Sequence, residues 1–100
     1  MSAAGRIDLA ADDGLAARLR SARGPVVTAV IRAPHEAAAA ALVRATIAAV
    51  AMERAPLARV NAVLVADGAA PVAVDRVAAF LAGAVATTGQ TLDVAGDRLG

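Results

Sequence analysis

Four places in the chain carry residue types that could do chemistry. His35 and Glu36 are adjacent, and an imidazole beside a carboxylate can move a proton. Asp12 and Asp13 are also adjacent, so their carboxylates could hold a cation or divide acid and base roles. Asp67-Gly68 follows a strand-like run, and ligands of parallel sheets bind beyond the carboxyl ends of strands. Asp93 sits in a short alternating run near the end. Each has a plainer explanation. His35-Glu36 follows Pro34, where a helix can begin and an acid is favourable at the dipole. Asp12 or Asp13 can cap the next helix. Asp67-Gly68 is an ordinary turn dipeptide. Asp93 reads as an edge-strand carboxylate that discourages edge pairing. With one His and no Cys, no zinc site and no disulfide can be assembled.

These residues need elements to position them. Ile7 to Ala10 alternates apolar and polar, which predicts a short, half-exposed strand. Gly14 to Arg23 predicts a helix with Leu15 and Leu19 on one face, stopped by Gly24-Pro25. Val26-Val27-Thr28-Ala29-Val30-Ile31 is a continuous β-branched run, the signature of a strand buried on both faces. His35 to Arg54 predicts the long helix. Val43, Ile47 and Val50 form one stripe on it, and Leu42, Ala45, Ala49 and Met52 an adjacent one. Arg59 to Val65 predicts a second central strand, Ala66 to Pro71 a turn, and Val74 to Ala82 a short helix. Thr91 to Val94 predicts a last edge strand.

Strands and helices in alternation specify a parallel sheet with helical crossovers. The expected fold class is α/β, a truncated Rossmann-like sheet of about four parallel strands in sequential order. It forms one domain over residues 1–100. Such an order raises a packing problem. Right-handed crossovers stepping one way put every helix on the same face. The other face, apolar in both central strands, would lie bare. Either one helix crosses over or a second chain covers that side.

Composition narrows the classes. Apolar residues make up 59%, above the usual about 45–50%, and alanine supplies most of the excess. Phe80 is the one aromatic residue. The net charge is +1, with acids and arginines interspersed, so no basic stripe or stacking platform for nucleic acid is present. The longest apolar stretch, Ala37 to Met52, is interrupted by Arg44 and is too short and alanine-rich to span a bilayer. Met1 to Asp13 does not read as a signal peptide. The expectation is a soluble, cytoplasmic protein with no membrane and no nucleic-acid partner.

Several segments carry a family resemblance. Val77 to Ala82, followed by Gly89-Gln90-Thr91-Leu92-Asp93-Val94-Ala95-Gly96, is similar to an "AFLAS…TGQTLDVDGG" ending. Arg59-Val60-Asn61-Ala62-Val63 is similar to "RVNAVAPG". Ala37 to Pro56 resembles the helix before that strand, and Gly5-Arg6-Ile7-Asp8 resembles "GRIDVLVNNAG". Together the chain resembles the C-terminal half of a short-chain dehydrogenase/reductase.

What the resemblance implies is mostly subtraction. The family's glycine-rich cofactor turn has no counterpart here. Its Tyr-x-x-x-Lys pair would fall at Glu36 and Ala40, or at His35 and Ala39, and the chain contains neither Tyr nor Lys. Its serine meets Arg32, Ala33 or Pro34, and its substrate loop shrinks to Asp67–Asp75. The resemblance therefore implies no catalytic residue, no cofactor and no metal. The long helix and the last helix and strand are surfaces through which such enzymes assemble. They imply an interface of Leu42, Ala45, Ala49, Met52, Phe80, Leu92 and Val94. The expected partner is a second copy or a full-length short-chain dehydrogenase. The alternative is an accessory subunit supplying part of a substrate site to an NAD(P)-dependent oxidoreductase complex.

Overall fold

The computed structural model describes residues 5–10 and 14–96. The elements run β1 (Arg6–Ala10), α1 (Leu15–Ser21), β2 (Val26–Arg32), α2 (Ala37–Arg54), β3 (Arg59–Val65), α3 (Pro71–Gly83) and β4 (Thr91–Val94). The strands form one sheet in the order β1-β2-β3-β4, and every pairing is parallel. The β-branched runs predicted as central strands lie side by side, with Val27 opposite Val60 and Ile31 opposite Leu64.

Side chains of a strand alternate between faces, and here each face has its own core. Val27, Ala29 and Ile31, with Val60, Ala62 and Leu64, pack under Leu15 and Leu19 of α1 and Val43, Ile47 and Val50 of α2. Val30 and Val63 point the other way and meet Val74, Ala78 and Leu81 of α3, together with Val94. So α1 and α2 lie on one face and α3 on the other. When strands step in one direction, crossovers of equal hand put helices on one face. The β3-α3-β4 crossover therefore has the opposite hand to the two before it. With the usual right hand for those, the third is left-handed. This answers the packing problem: a helix crosses over, and the apolar side chains of the second face are covered within the chain. What α3 leaves open over β1 is the row Arg6, Asp8 and Ala10, of which the first two are charged.

Local boundaries differ from expectation for identifiable reasons. Gly14 itself takes the cap position of α1, at φ +68°. Asp12 and Asp13, expected to cap it, lie outside the described residues. α2 starts at Ala37 rather than His35, which turns away to a partner described below. α3 starts at Pro71, three residues before Val74, because proline suits the first turn, where its missing N–H costs nothing. At the entry to β1, Gly5 has φ +79°, and a Cβ there would stand 1.7 Å from the Val26 carbonyl oxygen. The Thr28 N–H donates to the Gly5 carbonyl at 2.9 Å, so β1 begins pressed against β2.

α1 and α2 are also joined at the surface. Arg20 donates to both carboxylate oxygens of Glu53, at 2.8 and 3.0 Å. These hydrogen bonds hold the Glu53 carboxyl below its ordinary 4.5; the charge of Arg20 assists and partial desolvation opposes. A carboxyl lowered in the folded state adds stability above its ordinary pKa, and that increment disappears as pH falls through the lowered value. Glu53→Gln is therefore expected to lower the urea midpoint at neutral pH and to have less effect at acid pH, once the pH is below the lowered value and both chains carry an uncharged group. An equal loss at both pH values would show that the pair's charge contributes nothing. Added salt should shrink the neutral-pH difference, since the pair is exposed.

Candidate functional site

A crevice opens where neighbouring strand ends send their continuations to opposite faces. Here β2 leads to α2 on one face and β3 leads to α3 on the other, so the crevice falls between the carboxyl ends of β2 and β3. The Ala33 N–H donates to Val65 O at 2.8 Å and closes its base, while on the other side of β3 the Ala66 N–H donates to Val94 O of β4 at 3.0 Å. Above them the two loops meet through side chains. His35 Nε2 lies 2.8 Å from Asp67 Oδ2. A carboxylate only accepts, so Nε2 carries the hydrogen in this pair and Nδ1 faces away from it. Both side chains are exposed.

Beside the pair, on the α3 face, lies an open cavity of about 850 Å³. Its floor includes Val30, and its polar lining is Arg6, Asp8, Arg32, Asp67 and Asp75. Arg6 donates to Asp75 at 2.8 Å and to Asp8 at 3.0 Å. The bond to Asp75, then that to Asp8, raises the Arg6 pKa further above its ordinary value. Arg32 ends β2 at the mouth and has no side-chain partner among the described residues. With Asp8, Asp67 and Asp75 set against Arg6 and Arg32, the lining presents no dominant charge of either sign. Among the described residues no three His, Asp or Glu side chains are grouped to hold a metal ion.

The structure rearranges the candidates. His35 pairs with Asp67, which the sequence reading treated separately, rather than with Glu36. Asp93 is exposed on β4 but not alone. Arg44 of α2 reaches both its oxygens at 2.6 Å and also donates to the Thr91 carbonyl at 3.2 Å. Leu42, Ala45, Ala49 and Met52 share the side of α2 that faces away from the sheet, and all are exposed. Phe80 is exposed too, but on α3, across the sheet from that patch. Val94 is buried in the α3 core and Leu92 is half-buried against it. Val94 therefore leaves the expected interface, because its side chain is spent inside the chain, and the remaining residues divide between opposite faces.

Two residues that carried the resemblance have a structural task missed in the sequence. Arg59 donates to the carbonyls of Ala82 and Ala84. Asn61, fully buried, donates to Thr87 O at 2.9 Å and accepts from the Gln90 N–H at 3.0 Å. The Thr88 hydroxyl accepts from the Val60 N–H at 3.0 Å. Together they clamp the connection from α3 to β4 across the amino ends of the strands, away from the crevice. Buried polar atoms are rarely left unpaired, and a buried Asn in a central strand was the available signal.

A family model described as "SDR-like: Short chain dehydrogenase-like protein" matches residues 2–94. Comparisons with curated proteins and with solved structures found no match.

Proposed function

Because the chain belongs to the short-chain dehydrogenase-like family, matched over residues 2–94, we propose that it is a non-catalytic member that acts through oligomerisation, with itself or with an intact reductase. The outward side of α2 carries this reading. Leu42 is 68% exposed and Met52 80%, with Ala45 and Ala49 between them. The charged side chains beside that stretch are both engaged, Arg44 with Asp93 and Glu53 with Arg20. Contiguous apolar surface of this kind is typical of protein–protein contacts. The small alanines let another helix approach closely, near the lower end of the usual about 8–10 Å between axes. The absence of Tyr and Lys from the sequence supports the non-catalytic part, since the family's proton-transfer pair has no residues to form it.

The test is the mass of the protein in solution, alone and mixed with an intact family member, by light scattering. An assembly is expected. Ala45→Glu and Met52→Glu should each weaken it about tenfold or more, because a charge would be buried without a partner. The urea midpoint of the monomer should be unchanged, as both positions are exposed. A chain that stays monomeric at every concentration and joins no intact relative defeats the proposal.

The His35–Asp67 pair beside an open cavity favours a second reading, an accessory subunit contributing part of a substrate site to an NAD(P)-dependent oxidoreductase complex. That reading requires Asp67→Asn to lower the activity of the complex while leaving its assembly intact. A complex no more active than the partner by itself rules it out.

A further inference from the structure

We draw no further inference here: the strongest candidate, the apolar outward side of α2 with Leu42 and Met52 exposed on it, is the surface the proposed function already uses, and nothing in the structure shows what covers it.

Discussion

Gly5→Ala is expected to destabilise the fold by on the order of 3 kcal/mol, a large part of the roughly 5–15 kcal/mol that holds a small domain together. Two costs combine. An L-residue at φ +79° is strained by about 1–2 kcal/mol. The new methyl would also stand 1.7 Å from the Val26 carbonyl oxygen, which is backbone and cannot swing away. Relief requires β1 to move off β2, and the hydrogen bond from Thr28 N–H to Gly5 O goes with it. Gly24→Ala separates the costs. Gly24 has φ +94° but open space around it, so only the strain applies, at about 1 kcal/mol after the gain from a stiffer unfolded chain. Urea unfolding of both variants reads the difference. Equal losses would mean that β1 does not enter the sheet as tightly as described.

Ile47→Ala should cost about 2–5 kcal/mol, the range for emptying a packed aliphatic site. Ile47 is fully buried where α2 meets the sheet, among Val27, Ile31, Val60 and Leu64. Leu81→Ala removes a comparable side chain from the core under α3 and belongs in the same range. The two cores share β2 and β3, whose side chains alternate between them. Both substitutions are therefore expected to lower one cooperative transition, seen identically by circular dichroism and by amide exchange in β2. If Leu81→Ala frees α3 while the exchange of β2 is unchanged, the two faces melt independently and the shared strands do not couple them.

Much of this architecture is legible in the residues. Ala29–Ile31 and Ala62–Val65 are apolar at successive positions, as in a strand covered on both faces, and both lie in the central strands of the sheet. The stripe of Val43, Ile47 and Val50 is likewise buried as its spacing requires. The hand of the last crossover is not legible locally. Nothing within Pro71–Gly83 says which face it takes; that follows from Val30 and Val63 needing cover once α1 and α2 occupy the other side. The site was legible only in pieces. His35 and Asp67 each stood out by type. Their meeting depends on Arg32 lying opposite Val65, which brings the two following loops level. Once that register is known, the pairing could be anticipated. Val94 misled because a short alternating strand looks the same whether its apolar side faces a neighbour or its own helix.

The sheet acts as a partition with one compartment on either side, and they are finished at different times. A chain leaving the ribosome has every residue of the α1–α2 compartment once Leu64 has emerged. The other compartment waits for residues 66–94, so Val30 and Val63 stay wet until α3 has swung to the far side and β4 has docked. The exposed stage of folding is thus the late one, when a half-closed molecule shows the apolar side chains of Val30 and Val63 to water or to whichever other chain is nearest.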